Sequence, residues 1–324
     1  MPGTAPDVPD GMGLENGQPR VGAMGQSKVK PLTDGLAALV RDGDTVFLGG
    51  FGQGIPFAAG HELIRQGRRG LTLCRSGADI LFDQLIAAGC TTRVVFGYIG
   101  NPGIGLAHAF RRAVAEGSIE VEEWSNFAMV LRLHASALGV PFLPSRVLRT
   151  GDIAPAVAGV GEIDCPFTGE SLSAIPALTP DVALVHAQRA DELGNVQLWG
   201  IAGDTVIGAL ASRRILVTVE EVVERDLVRE DPNRTVIPGY RVQAVCPVPW
   251  GAHPSYVQGY YARDDAFYHA YDEISRTPER LKEYLDDWVF GVSDRAEYAR
   301  RLDTASLEVS GAAAPPVTYG FDRR

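Results

Sequence analysis

The sequence predicts an α/β protein with an open, mainly parallel sheet that is covered by helices on both faces. Short apolar runs alternate with segments of helical periodicity from about residue 30 to residue 139, and the alternation resumes at residue 181. Several apolar runs end in glycine-rich turns, as at residues 49–54 and 97–105. Strands that alternate with helices in this way form parallel sheets whose two faces are buried.

The first half of the chain contains the most regular alternation. Leu32, Leu36, Leu39 and Val40 recur at helical spacing just before the first apolar run. The predicted helices cover residues 30–40, 58–66, 80–86, 106–116 and 127–138, and the predicted strands cover residues 44–48, 71–74, 92–96 and 118–122.

The second half is interrupted before the sheet resumes. Residues 140–180 contain six prolines and no sustained periodicity, so we expect an excursion or lid across one end of the sheet. Further strands are predicted at 181–186, 215–219 and 242–248, with a turn at 191–195 and a helix near 204–212. Two helices close the fold, one capped by Thr277 with Pro278 in its first turn and one starting at Ser293 or Asp294. We predict a disordered tail over residues 1–27, one domain over 28–303 and a loose tail over 304–324.

Composition excludes several classes of function. The 324 residues carry a net charge of −10, which argues against nucleic acid as a partner. No apolar run approaches the roughly 20 residues that span a bilayer, and the N-terminus lacks the pattern of a signal peptide. The four cysteines are widely spaced and predict reduced thiols in a cytoplasmic protein. No H-E-x-x-H or C-x-x-C motif occurs, so no metal is expected.

The glycine turn after the first strand is the strongest candidate for a binding site. Glycine permits positive φ and close approach of a ligand, and neighbouring N–H groups at a helix start can hold an anion or an oxyanion. The candidate backbone donors are Gly50, Phe51, Gly52, Gln53 and Gly54. A glycine-rich turn without any ligand explains the same residues. Ile55 stands where a dinucleotide fingerprint requires its third glycine, so a nicotinamide cofactor is not expected.

Polar residues mark the other strand ends. Ser76 follows the second strand, where capping of the next helix also explains it. Asn101 lies in the second glycine loop. His186 at a strand end and His253 in a turn fit a functional and a structural role equally. No residue forms a recognisable nucleophile motif, which suggests that a partner supplies one.

The sequence resembles the A (alpha) subunit of class I CoA-transferases, most closely the glutaconate type. The matching segments are Gly49-Gly50-Phe51 with Gly54-Ile55-Pro56, residues 139–144, 181–188 and 251–255, and the run from Tyr271 to Phe290. They follow one another in order between about residue 28 and residue 303.

The resemblance implies a CoA-transferase type fold and a hetero-oligomer with a B subunit, such as α2β2 or larger. The nucleophile in this family is a glutamate of the B subunit, which attacks an acyl-CoA thioester, and a glutamyl-CoA thioester formed through an anhydride then passes CoA to a second carboxylic acid. No catalytic residue is then expected in this chain. It would supply oxyanion donors and the acid pocket, and the CoA thioester is a substrate, with no cofactor bound permanently. The implied substrate-binding residues are Ser76, Gly100, Asn101, Pro102, His186, Gln188 and His253.

Two departures from the glutaconate type bear on the acid. Gly52-Gln53-Gly54 is similar to the oxoacid-type turn, and Pro102 stands where the glutaconate type has a serine. Proline offers neither a hydroxyl nor an N–H, so we expect a bulkier, less charged acyl group than glutaconate, unless Arg75 or Arg146 compensates. Glu15-Asn16-Gly17 mimics the glutamate motif of the B chain, but it precedes the first strand and is interpreted as coincidence.

Two alternatives remain open. One is a subunit of an acyl-CoA hydrolase or ring-cleaving enzyme on the same fold, which acts on the thioester without a second acid. The other is a non-catalytic ligand-sensing domain, which usually needs an attached DNA-binding segment.

Overall fold

The structure is a computed structural model that describes residues 25–149, 153, 157 and 159–307. The strands are β1 (Thr45–Leu48), β2 (Leu71–Ala78), β3 (Thr91–Ile99), β4 (Glu120–Glu123), β5 (Phe142–Ser145), β6 (Gly161–Asp164), β7 (Ser171–Pro176), β8 (Val182–Ala190), β9 (Val196–Gln197), β10 (Arg214–Val222), β11 (Thr235–Ile237) and β12 (Ala244–Pro247). The helices are α1 (Leu32–Leu39), α2 (Phe57–Arg65), α3 (Ile80–Ala87), α4 (His108–Ala115), α5 (Asn126–Leu138), α6 (Thr205–Ala211), α7 (Arg225–Glu230), α8 (Asp265–Ser275), α9 (Pro278–Leu285), α10 (Arg295–Arg300) and α11 (Thr304–Leu307).

The central sheet is built from parallel neighbours. Its strands follow the order β12-β10-β8-β1-β2-β3-β4, and every pair in this order is parallel. The short strands β9 and β11 extend the far end of β8 as an antiparallel ribbon. The predicted α/β class with a mainly parallel sheet is confirmed.

Side chains of β1 show how the two faces are buried. Val46 and Leu48 contribute to one apolar cluster, whereas Phe47 between them contributes to another. The first cluster includes residues of α1 to α4, α8 and α9, and the second includes residues of α5 and α6. Since successive side chains of a strand point to opposite faces, helices cover the sheet on both sides.

The starts of two helices near the C-terminal end of the described chain depend on local capping. Thr277 accepts a hydrogen bond from the Arg280 N–H and Asp294 accepts one from the Glu297 N–H, so both closing helices begin as predicted.

The short helix α11 lies within the tail that was expected to be loose, and residues 308–324 are outside the described part. Most of the predicted N-terminal tail, including Glu15, also lies outside the described residues. Residues 28–30 run beside β12, where Val29 pairs with Val245.

The proline-rich stretch 140–180 contains regular structure. Its described residues form a three-stranded antiparallel sheet in the order β5-β7-β6, which is separate from the central sheet. The prolines of the strands are compatible with it, because Pro144 lies on the edge strand β5 and Pro176 is the last residue of β7. These prolines concealed the strands in the sequence pattern.

Two further observations concern the whole described chain. Cys74, Cys90 and Cys246 are buried free thiols, whereas Cys165 is partly exposed and does not belong to the core. None of the described helices is long and apolar enough to cross a membrane.

Candidate active site

A cavity of about 490 Å³ lies at the carboxyl edge of the sheet, where β1, β2 and β3 end. The turn after β1 contributes Phe51 and Gly52 to its wall, and the loop after β3 contributes Pro102. The segment between β12 and α8 adds Tyr256 and Arg263. Ligand sites of open α/β sheets form at this edge, because the loops there converge from several strands.

The wall of the cavity combines aromatic rings with a buried ion pair. A guanidinium nitrogen of Arg75 lies 3.1 Å from a carboxylate oxygen of Asp79, and both side chains are 2% exposed. The Asp79 carboxylate also accepts the Leu81 N–H at 2.9 Å and caps α3. Its charge is therefore balanced by Arg75 and by the start of the helix.

A second cation, Arg263, lies nearer to the surface. Its guanidinium stands 5.0 Å from the centre of the Tyr268 ring and pairs with the exposed Asp265. Burial raises the pKa of the Tyr268 hydroxyl well above its usual range, so this ring stays neutral. Asp79 balances Arg75, and the Nε of Arg263 pairs with Asp265, which is not a residue of the cavity wall, so Arg263 is the second positive group on that wall.

The first glycine turn is fixed from both sides. Gly50, Gly52 and Gly54 have φ values of 96°, 74° and 63°. The Gly50 N–H donates to the Thr205 hydroxyl at 2.8 Å, and the Gly54 N–H donates to the Tyr256 carbonyl at 2.9 Å. The N–H of Phe51 donates to the Gln53 carbonyl at 3.1 Å.

Gly52 differs from these neighbours. Its N–H has no hydrogen-bond acceptor among the residues that the structure describes, and the residue is exposed on the cavity wall. Of the two predicted oxyanion donors on the cavity wall, Phe51 and Gly52, Gly52 is therefore the one with an N–H available to a ligand.

The predicted residue His186 is buried behind this turn. Its Nδ1 lies 2.9 Å from the Thr218 hydroxyl and its Nε2 lies 2.6 Å from the Glu220 carboxylate. Glu220 also accepts hydrogen bonds from the Tyr261 hydroxyl and the Trp250 N–H. This network ties β8 to β10 and to the segment after β12, and it does not line the cavity.

Gln188 and Gln53 are buried in a similar way. The Gln188 side chain donates to the Trp199 carbonyl at 2.9 Å, and the Gln53 side chain donates to the same oxygen at 2.7 Å. Their amides therefore contact the protein's own backbone.

The remaining predicted residues also lie beneath the cavity surface. Asn101 donates to the Tyr268 carbonyl at 2.8 Å, and the N–H of Gly100 donates to Ala78. The ring of His253 lies between the Tyr298 hydroxyl and the Asp264 carboxylate, and burial lowers its pKa. Of the substrate-binding residues inferred from the resemblance, only Pro102 lines the cavity.

The interpretation of Ser76 as a residue that opens a helix is wrong. Strand β2 continues to Ala78, and Asp79 caps α3. Ser76 is buried within the strand, where its N–H donates to the Asp204 carboxylate at 2.9 Å.

Sequence reasoning did not single out several wall residues. Tyr98, Tyr256 and Tyr268 come from three separate segments, and nothing local marks them as neighbours. A weak signal did exist for the ion pair, because Arg75 and Asp79 are four residues apart at a strand end. Arg146, which follows β5, pairs with Glu170, which precedes β7, and it does not line the cavity.

Comparison with known proteins agrees with this geometry. Residues 30–247 match the coenzyme A transferase family, and the chain belongs to that family. Within it, the A subunit of 3-oxoadipate CoA-transferase from Pseudomonas knackmussii is 43% identical over 84% of this chain and 96% of its own length. The A subunit of glutaconate CoA-transferase from Acidaminococcus fermentans is 34% identical over 91% of this chain and 98% of its own length.

A solved structure and a hydrolase subunit extend the comparison. The crystal structure of glutaconate coenzyme A-transferase from Acidaminococcus fermentans has a TM-score of 0.82 and 33% identity, and the match covers 89% of this chain and 98% of that chain. A cholesterol ring-cleaving hydrolase IpdA subunit of Rhodococcus jostii is 30% identical over 81% of this chain and 92% of its own length. The predicted family, the fold and the assignment to the CoA-transferase subunits are confirmed.

Proposed function

We propose that this chain is the A subunit of a heteromeric acyl-CoA:carboxylate CoA-transferase, and that a B subunit supplies the catalytic glutamate. The observation that carries the proposal is a cavity with a reachable backbone donor and, among its described wall residues, no free carboxylate. Asp79 is the carboxylate among its described wall residues, and it is bound to Arg75 and to the start of α3. A carboxylate held in this way is a poor nucleophile, because attack would break both contacts.

The chemistry assigns separate roles to the two subunits. The partner's carboxylate oxygen attacks the thioester carbonyl carbon, the C–S bond breaks, and an acyl-glutamyl anhydride and the CoA thiolate result. The thiolate attacks the glutamyl carbonyl and releases the first acid, and the second acid then reacts by the same two steps in reverse. Each addition places negative charge on a carbonyl oxygen, which the N–H of Gly52 is available to stabilise.

The acid pocket is assigned to the same cavity. Phe51, Tyr98 and Tyr256 offer apolar surface to a carbon chain, and Arg263 offers a charged donor to a carboxylate. The expectation of a less charged acyl group rested on the lack of such a donor near Pro102. The cavity has one, so we propose a dicarboxylic acid of the 3-oxoadipate kind as the substrate.

The test compares the chain alone with the chain assembled with its B subunit. Succinyl-CoA and 3-oxoadipate serve as donor and acceptor, and the new thioester is followed by chromatography. We expect transfer only by the assembled complex, together with a partner glutamate that borohydride reduces after incubation with acyl-CoA. Turnover by the chain alone would refute the division of roles. Replacing Glu15 with alanine should leave the complex fully active.

The same assay distinguishes a CoA-transferase from the alternative of an acyl-CoA hydrolase or ring-cleaving enzyme. The IpdA relative is named as a hydrolase, so loss of the thioester without formation of a new one would favour hydrolysis or ring cleavage. A family match over residues 30–247 favours both enzyme hypotheses over the ligand-sensing domain.

A further inference from the structure

A segment distant in sequence lies directly on the first glycine turn. Residues 199–203, here called the strap, connect β9 to α6 and contribute Ile201 to the cavity wall. A Cβ added to Gly203 would lie 2.4 Å from the Phe51 side chain, and Gly203 has a φ of 54°. The strap therefore passes so close to the turn that glycine is required there.

The side chain of Gln53 joins the strap to two other segments. Its amide nitrogen donates to the Trp199 carbonyl at 2.7 Å and to the Ile201 carbonyl at 3.1 Å. Its amide oxygen accepts the Gln258 N–H at 3.3 Å. One buried amide thus bonds the strap and the segment after β12 to the turn that contains Gly52.

Gln188 supports the strap but does not bond to the turn. Its amide shares the Trp199 carbonyl with Gln53 and makes a longer contact of 3.4 Å with the Gln258 carbonyl. The hydrogen bonds from the first turn to the strap therefore come from Gln53, whereas the strap itself has a second anchor in Gln188.

We propose that Gln53 is a positioning residue that holds the N–H of Gly52 and the Ile201 wall in a fixed relation across the cavity. The proposal rests on the proposed transferase function, which assigns Gly52 its ligand. An amide is suited to this task because it offers two N–H donors to the two strap carbonyls and an oxygen to the Gln258 N–H. A side chain without these groups would leave the Ile201 carbonyl and the Gln258 N–H without a partner among the described residues, and the Trp199 carbonyl with Gln188 alone.

The test replaces Gln53 with methionine, which has a similar length and no hydrogen-bond donors. In the assembled complex, Gln53→Met should lower kcat tenfold or more and change KM for the acid less than threefold, because the donor is displaced while Arg263 is intact. Gln84→Met is the matched control. Gln84 is buried and bonded to His61, it lies on α3, and it does not touch the strap. We expect its kcat to stay within twofold of the wild type.

A second variant adds a pH-dependent readout. In Gln53→Glu, the carboxylate repels the two strap carbonyls, whereas the protonated acid can donate to one of them. Its kcat relative to wild type should therefore rise as pH falls. Burial raises the pKa of such a carboxyl, which brings this change toward the neutral range. A constant ratio across pH would contradict the proposal.

Hydrogen exchange of the chain alone tests, independently of activity, whether Gln53 holds the segments to which it bonds. Gln53→Met should exchange the Gln258 amide, which donates to the Gln53 side chain, at least tenfold faster than wild type, and Gln84→Met should not. Unchanged exchange, or a kcat within twofold of wild type, would overturn the inference. An inactive wild-type complex would instead refute the proposed function, and the exchange result would still stand.

Discussion

Replacing Gly52 with valine tests the oxyanion role most directly. Gly52 has a φ of 74°, and a Cβ there would meet only a Tyr256 ring carbon, at 4.0 Å. Crowding is therefore small, and the substitution acts through the backbone. A β-branched residue rarely adopts positive φ, so the chain must rotate the peptide that carries the Gly52 N–H or retain substantial strain.

The size of the expected effect follows from the role of the donor. Loss of one preorganised N–H at a developing oxyanion lowers kcat by roughly a hundredfold to a thousandfold. The strain of a left-handed residue is about 1–2 kcal/mol even without β-branching, and it should appear as lower stability. We expect kcat of the assembled complex to fall by about a hundredfold, with assembly retained.

Gly43 provides a control for strain alone. It has a φ of 82°, no atom within 4 Å of its added Cβ, and a position in the turn that precedes β1. Gly43→Val should lose comparable stability and keep its activity. The assay measures kcat for CoA transfer and the urea midpoint of both variants. If Gly52→Val transfers CoA at a rate within threefold of wild type, Gly52 does not stabilise the oxyanion.

Two further predictions concern a buried carboxyl and the acid pocket. Burial raises the pKa of Asp83 to about 6, so the folded state keeps a proton that the unfolded state loses near pH 4. The free energy of unfolding should therefore decrease as the pH rises from about 4 to about 6. Asp83→Asn should abolish this fall, of which about 2 kcal/mol lies between pH 4.5 and pH 7, and urea unfolding at these two pH values measures it; an unchanged difference would contradict it. Arg263→Gln should raise KM tenfold or more for a dicarboxylic acid but not for a monocarboxylic acid of equal length. The exposed Arg229→Gln is its control, and equal effects on both acids would refute the role of Arg263.

Local sequence patterns were sufficient for the elements that local forces control. The alternation of apolar runs and helical spacing predicted β1 and α5, because a strand with both faces buried and an amphipathic helix have different periods. Thr277 and Asp294 marked helix starts, because a cap bonds to an N–H three residues ahead. The glycine turn after β1 was also visible, since positive φ favours glycine wherever it occurs.

The tertiary structure alone decided which side chains meet at the cavity. Gln53 bonds to residues 146 and 148 positions away, and the Gly54 N–H bonds to Tyr256. No local period encodes such pairings, because they depend on how β8, β10 and β12 bring their connecting segments back to β1. The same packing buried His186 against Glu220 and left Arg263 on the wall. Residue type and strand-end position predicted the edge of the sheet where the site lies, whereas burial determined which residues a ligand there can reach.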